Sequence, residues 1–243
     1  MRILAHLSDL HFGRIERGVL DALRSRLWQV KPDLVVVSGD LTQRARARQF
    51  REARAFLDTL PQPQLVVPGN HDVPLYNVLA RFFAPLAGYR RFVADEVDPS
   101  FVDEEIAVVG INTARSFTWK GGGVSEAQLV RAEDKLCSLN AGVVKIVVTH
   151  HPLPQLGRLA RCGVDVQVAG HLHATSIGAP CALVVQAGTA TSSRTRAEPN
   201  SFNVLRIGGA RIEIEHYALR GGDFQRGEAR AFQRQEHGWR AAA

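Results

Sequence analysis

Residues 32–42 read PDLVVVSGDLT. The run Leu34–Ser38 is short, β-branched and apolar at nearly every position, the pattern of a strand buried on both faces. Gly39 and Asp40 close it with turn chemistry, and residues 46–60 then carry apolar side chains at helical spacing. The unit is a strand, a Gly-Asp turn and a helix. It recurs on both sides. Ile3–Leu7, Leu65–Val67, Ile106–Asn112, Val144–Thr149 and Val164–Ala169 read as buried strands, with helical spacing over Glu16–Val30 and Leu75–Val93. Ser125 followed by Gln128 is a capping-box start for a helix reaching Ser138. After His173 the pattern becomes strands without helices: Ala182–Ala187, Phe202–Ile207 and Arg211–Tyr217, the last two joined by a turn at Gly208-Gly209. The reading is an α/β chain of packed mixed sheets with helices outside. One domain is expected over 1–217, with 218–243 a partly ordered Arg/Gln/Ala-rich C-terminal tail.

The chain has 243 residues, 45% of them hydrophobic, enough for a sizeable core and against disorder as the main state. No apolar run approaches the roughly 18–20 residues that span a bilayer, and the start MRILAHLSDLH does not read as a signal peptide. Cys137, Cys162 and Cys181 are sparse, odd in number and without a C-x-x-C pair, so reduced thiols in a cytoplasmic protein are expected. The net charge of +6 comes from 26 Arg and 4 Lys against 24 acidic residues. Arg44, Arg46, Arg48, Arg51 and Arg54 crowd one helix start, and Arg220, Arg226, Arg230, Arg234 and Arg240 dot the tail. These read as solvated faces that can help attract an anionic substrate. No aromatic-interleaved basic platform is present, so a nucleic-acid partner is not expected.

Five segments follow predicted strands and end in ligand chemistry: Ser8-Asp9-Leu10-His11, Gly39-Asp40-Leu41-Thr42, Gly69-Asn70-His71-Asp72, Thr149-His150-His151-Pro152 and Gly170-His171-Leu172-His173. In an α/β sheet the loops beyond the carboxyl ends of the strands gather at one edge. Six of the nine histidines lie in these segments. Their mixed nitrogen and oxygen donors suit manganese, iron or zinc better than magnesium or calcium. The glycines at 39, 69 and 170 are read as letting the backbone turn sharply beside the ligands. Gly121-Gly122-Gly123 lacks the ending of a P-loop and reads as a flexible turn. His151 reads as a brace for the site and His6 as a core residue, while His216 and His237 lie outside the motifs.

The ordered set D-x-H, G-D, G-N-H-D, H and G-H-x-H over residues 9–173 resembles the calcineurin-like metallophosphoesterase superfamily. The texts SDLHFG, VPGNHDVP, VVTHHP, AGHLH and QAGTATSSRTR resemble its class III cyclic-nucleotide phosphodiesterase branch. The resemblance implies a four-layer αββα sandwich of two mixed sheets flanked by helices. It implies two transition-metal ions, one held by Asp9, His11 and His173, the other by Asn70, His150 and His171, with Asp40 bridging. His71 would be the catalytic histidine that serves the leaving oxygen, and Asn70 and His71 would touch substrate. The family's G-D-x-x-D ends here in Gln43 rather than Asp, which leaves open whether Asp72 or another group orients His71.

Two divalent ions set against Asp9 and Asp40 leave two positive charges, which a hydroxide and a phosphodiester monoanion neutralise. The expected reaction is therefore attack of a metal-bound hydroxide on phosphorus. The substrate expected is a cyclic nucleotide or other small, nucleotide-like phosphodiester. The alternatives are a phosphomonoesterase or nucleotide-lipid pyrophosphatase with the same chemistry, and a non-catalytic metal-binding scaffold. Two roles stay open at this stage. The aromatic stretch Leu75–Val93 is either core or an apolar wall over the substrate, and Arg194 and Arg196 either reach a phosphate or form surface ion pairs.

Overall fold

In the computed structural model, β1 (Arg2–Leu7), β2 (Leu34–Ser38) and β3 (Gln64–Val67) lie parallel and side by side. The structure describes residues 1–243 apart from 118–120, 173–175, 179–181, 194–197, 237 and 243. Along β2 the side chains alternate between two cores: Leu34 and Val36 face inward, Val35 and Val37 outward. This explains why the strand is apolar at successive positions from Leu34 to Val37 rather than at every second one. Val35 and Val37 meet Leu23 and Leu27 of α1 (Arg17–Val30) and Phe50 and Leu57 of α2 (Ala47–Leu57). Leu34 and Val36 meet a second sheet.

The chain continues through α3 (Val78–Phe83), α4 (Ala87–Phe92), β4 (Ser100–Val102), β5 (Ile106–Gly110), α5 (Glu126–Cys137), β6 (Val144–Thr149), α6 (Leu156–Ala160) and β7 (Val164–Ala169). It ends in β8 (Ser176–Gly178), β9 (Leu183–Gln186), β10 (Ser201–Gly208), β11 (Arg211–Arg220), β12 (Asp223–Gln235) and β13 (Gly238–Ala241). The first sheet has the order β13-β12-β11-β10-β1-β2-β3 and the second β4-β5-β6-β7-β9-β8. Each mixes parallel and antiparallel pairs. Val108, Ile146 and Val168 of the second sheet pack on Leu4, Val36 and Leu205 of the first. On its other side, Val109 and Val147 meet Leu129 and Leu136 of α5 and Leu156 and Leu159 of α6. The layers are helix, sheet, sheet, helix, as the resemblance implied.

Three expectations are corrected. The segment 218–243 is not a partly ordered tail over its described length. A turn at Gly221-Gly222, both with positive φ, folds β12 onto β11, and β13 adds a further strand. Only Phe224 and Phe232 of β12 are buried hydrophobics, so the segment lacks a strand's usual apolar signal. Backbone pairing and ion pairs such as Arg226–Glu213 at 2.9 Å hold the rest. Leu75–Val93 is two short helices, because Pro85 cannot continue the first. Finally, Cys137 and Cys162 form a disulfide rather than standing as reduced thiols. The end of α5 and the chain entering β7 bring them together, which no local spacing reveals. The paired cysteines no longer argue for a cytoplasmic setting. Cys181 lies outside the described residues. No helix among those described is long and apolar enough to cross a membrane.

Candidate metal centre

Among the described residues, the strand ends deliver the predicted side chains to one edge. The loop after β1 lies along the loop after β2, with Asp9 N donating to Gly39 O at 3.1 Å and His11 N to Asp40 O at 2.9 Å. Asp9, His11, Asp40 and His171 all take positive φ, between 51° and 70°. Non-glycine residues pay of order 1–2 kcal/mol for that conformation, and such strain gathers at functional sites. Of the three glycines, only Gly39 needs the left-handed turn, with φ at 95°. Gly69 and Gly170 are required for space instead. A Cβ on Gly69 would overlap the backbone N and carboxylate of Asp40, and one on Gly170 would overlap Ser8 Oγ.

The donors fall into two groups. Asp9, His11 and Asp40 present ligand atoms within 4.8 Å of one another, and so do His150, His151 and His171. Asp40 joins them: its Oδ2 is 3.7 Å from His11 Nε2 and 3.4 Å from His150 Nε2. Asn70 Oδ1 lies 3.1 Å from His150 Nε2 and 3.2 Å from His171 Nδ1. Asp9, His11, Asp40 and His150 are buried, while Asn70, His71 and His171 are half-buried and form the mouth. His173 lies outside the described residues, as do Arg194, Arg196 and His237. His216 sits away from the centre, 3.3 Å from Asn203.

These donors fit a cation. His150 Nδ1 donates to the carbonyl of Ser38 at 2.8 Å, which in a neutral ring leaves Nε2 as a lone pair facing Asp40 and Asn70. Burial opposes charge on His150, yet Asp40 and Asp9 outweigh it and push its pKa up to about 9. His11 is likewise raised, the two aspartates again overcoming burial. Burial would raise the Asp40 carboxyl, but His150 and His11 hold it well below the usual carboxylate range. A site electron-rich enough to keep a proton on a fully buried imidazole offers the same electrons to a divalent cation.

The family model for calcineurin-like phosphoesterases matches residues 2–175, which takes in every one of these donors. The chain belongs to the calcineurin-like phosphoesterase family. It is 32% identical over 180 residues to the glycerophosphodiester phosphodiesterase GpdQ of Enterobacter lignolyticus, covering 64% of this chain and 58% of that protein. It is 27% identical over 139 residues to the 3',5'-cyclic adenosine monophosphate phosphodiesterase CpdA of Escherichia coli, covering 57% of this chain and 46% of the relative. The match thus spans about half the length of these curated relatives. The purple acid phosphatase PPD1 of yellow lupin shares the fold, with a TM-score of 0.72 over 97% of this chain and 54% of that one at 14% identity.

In this phosphoesterase family member the question left by Gln43 has a backbone answer. His71 Nδ1 donates to the main-chain carbonyl of Gln43 at 2.9 Å, with the Gln43 side-chain amide 3.4 Å away. Asp72 ties neighbouring loops together. Its buried carboxylate accepts from Leu41 N at 3.1 Å, Thr42 N at 2.9 Å, Thr42 Oγ1 at 3.0 Å and Gly69 N at 2.9 Å. It ties the loop of Asp40 to the loop of Asn70. Burial and the charge of Asp40 push its pKa up to about 6 against those hydrogen bonds. His71 N donates to Asp40 Oδ1 at 2.8 Å, which ties the turn Asn70–Asp72 directly to the loop of Asp40.

Sequence reasoning missed the supports. Thr189 and Thr191 hydroxyls donate to the carbonyls of Asp9 and Leu10 at 2.7 and 2.6 Å, which gives the QAGTATSS segment a structural task. Thr113 Oγ1 lies 2.9 Å from His151 Nδ1 and accepts from His151 N at 3.2 Å. A Cβ on Gly122 would sit 2.5 Å from the His151 ring, so the glycine run packs on the site and is no mere flexible turn. Hydroxyl-to-carbonyl bonds between residues 180 and 181 positions apart leave no periodic signal. Positive φ at Asp9, His11, Asp40 and His171 leaves none either.

Proposed function

We propose that this chain is a dimetal phosphodiesterase acting on a small diester such as a cyclic nucleotide or a glycerophosphodiester. The observation that carries the reading is Asp40 standing between two donor groups at the open edge of the sheets. Asp9, His11, Asp40 and His173 would hold one ion, and Asp40, Asn70, His150 and His171 the other, with manganese, iron or zinc suited to the donors. When bound, two such ions supply Lewis acidity that activates water and polarises the phosphoryl oxygens. The chain's own residues do the rest. The buried floor of Asp9, His11, Asp40 and His150 keeps bulk water from the charged donors, while Asn70 and His71 at the mouth meet the diester.

His71 serves the leaving oxygen. Its Nδ1–H is committed to the Gln43 carbonyl, so a proton is delivered from Nε2 of the imidazolium form. A neutral carbonyl favours that form less than a carboxylate would. The similarity to two phosphodiesterases supports diesters over monoesters.

The test is turnover by manganese- or zinc-loaded protein on glycerophosphodiesters, cyclic nucleotides, phosphomonoesters and nucleotide-lipid pyrophosphates, with elemental analysis alongside. Two ions per chain and preferred hydrolysis of diesters are expected. Full activity with one ion overturns the dimetal assignment, and preference for monoesters overturns the substrate class.

A further inference from the structure

Eleven large apolar side chains are exposed among the described residues, and six of them fall at 76–83 and at 117. Scattered exposed hydrophobics need no explanation, but a contiguous group marks an interaction site. Tyr76, Leu79 and Phe83 are 75%, 71% and 85% exposed, and Phe82 packs its ring 5.1 Å from that of Phe117, itself 85% exposed. The second half of the same stretch behaves differently: Tyr89 is buried and donates to Val66 O at 2.8 Å. The large apolar side chains of residues 76–83 are therefore not core.

The patch is a built extension of the candidate metal centre. One leg leaves Asp72 through Val73 and Pro74, and the other leaves Thr113, the residue that holds His151. Buried Arg81 pins the legs together, donating to Ser116 O at 2.7 Å and Pro74 O at 3.1 Å. At the junction, the Arg44 guanidinium lies 5.8 Å from the Tyr76 ring centroid, one residue beyond the carbonyl that holds His71. A cation thus stands between the phosphate-directed end and the apolar end. That arrangement complements an amphiphile with an anionic head and a hydrocarbon arm.

We propose that Tyr76, Leu79, Phe82, Phe83 and Phe117 form a subsite for the hydrocarbon arm of a phosphodiester, making the preferred substrate class alkyl- or acyl-bearing diesters. The proposal rests on the phosphodiesterase reading above and narrows its substrate. The arm contacts the patch while its phosphate lies at Asn70 and His71.

The experiment measures kcat/KM for 4-nitrophenyl alkyl phosphates from methyl to octyl, each below its aggregation concentration, on metal-loaded wild type and on the Leu79→Ser/Phe83→Ser variant. Both side chains are exposed, so folding does not depend on them. A methylene fully removed from water is worth about fourfold and one on a half-open surface about twofold, giving an increase on the order of 10²-fold across the series. The variant should lower the slope of log kcat/KM against chain length. Calorimetry gives a readout without turnover. n-Octyl phosphate should bind wild type more tightly than inorganic phosphate, with a negative heat-capacity change, and lose that advantage in the variant. Hydrolysis of the methyl ester with a flat series, or equal slopes in both proteins, overturns the subsite and leaves the phosphodiesterase reading standing. Turnover of no member overturns that reading, and the calorimetric comparison then decides the subsite by itself. A dimer abolished by the variant, or cosedimentation with anionic vesicles at equal kcat/KM across the series, assigns the patch to another occupant and also overturns the proposal.

Discussion

Replacing Asp72 with alanine should unlock the centre without touching a proposed ligand. Among the described residues its carboxylate is the acceptor for Leu41 N, Thr42 N and Gly69 N, and it is fully buried. Thr42 Oγ1 has a second acceptor in His71 O at 3.0 Å and can turn to it. The three amides have no such choice. A buried donor left unpaired costs about 1–3 kcal/mol, and partial entry of water lowers the sum, so a loss of about 3–6 kcal/mol is expected. Against a typical total of about 5–15 kcal/mol, that is a large share. Asparagine should rescue little, because each carboxylate oxygen faces at least one backbone N–H and an amide NH2 would oppose one of them. The assay is urea unfolding of chelator-treated protein followed by circular dichroism, with metal content measured separately. With a urea slope of about 3 kcal/mol/M, the midpoint should fall by about 1–2 M, and metal retention should fall with it. A midpoint change under about 0.3 M with full metal content would refute the reasoning: the loops of Asp40 and Asn70 would then be held by something other than this carboxylate.

The other predictions follow from the same geometry. Asp40→Ala should abolish retention of both metal ions and His11→Ala of one, read by elemental analysis; an Asp40→Ala protein with two ions contradicts the central role of that carboxylate. Gly170→Ala should cut turnover by tenfold or more, because the added methyl overlaps Ser8 Oγ and would sit 2.7 Å from Asp9 Oδ2; displacing a catalytic group by about 1 Å can cost 10²-fold. His71→Ala should keep its metal and lose about 10²–10⁴-fold in turnover. The loss should be smaller on bis(p-nitrophenyl) phosphate, whose leaving group departs without a proton, and equal losses on alkyl esters would assign His71 to phosphate binding. His6 is fully buried, bonded to Ser38 Oγ at 2.8 Å, and burial lowers its pKa to about 3. The unfolded chain then binds the extra proton below about pH 6.5, so stability falls with falling pH, by about 3 kcal/mol at pH 4.5. The drop in urea midpoint between pH 7.5 and 4.5 should shrink in His6→Gln, and an unchanged drop would clear His6 of the effect.

Strand and helix identity in this chain follow from periodicity, which is written locally. The apolar run Leu34–Val37 leading into Ser38 reads as a strand buried on both faces, and it is one. Ser125 with Gln128 could be recognised as a helix start, and Ser125 N donates to Gln128 Oε1 at 3.1 Å as the motif requires. The order of five donor-bearing turns after five strands likewise placed Asp9, His11, Asp40, Asn70, His150 and His171 at one edge, because parallel strands carry their carboxyl ends together. Other features depend on groups that meet only after folding. The partner of His71 is a main-chain carbonyl, which every residue has and no side-chain pattern can signal. Asp72, adjacent to His71, has its carboxylate on the amides of Leu41, Thr42 and Gly69, which meet it only in the folded chain. Cys137 and Cys162 pair across helices that pack on one sheet, and β12 is held by backbone hydrogen bonds with only two buried phenylalanines to announce it. The stretch 75–93 is one apolar pattern in sequence but two environments in space. Pro85 splits it, Tyr89 finds the core, and Leu79 and Phe83 are left at the mouth, since which apolar residues are covered depends on what the rest of the chain packs against them.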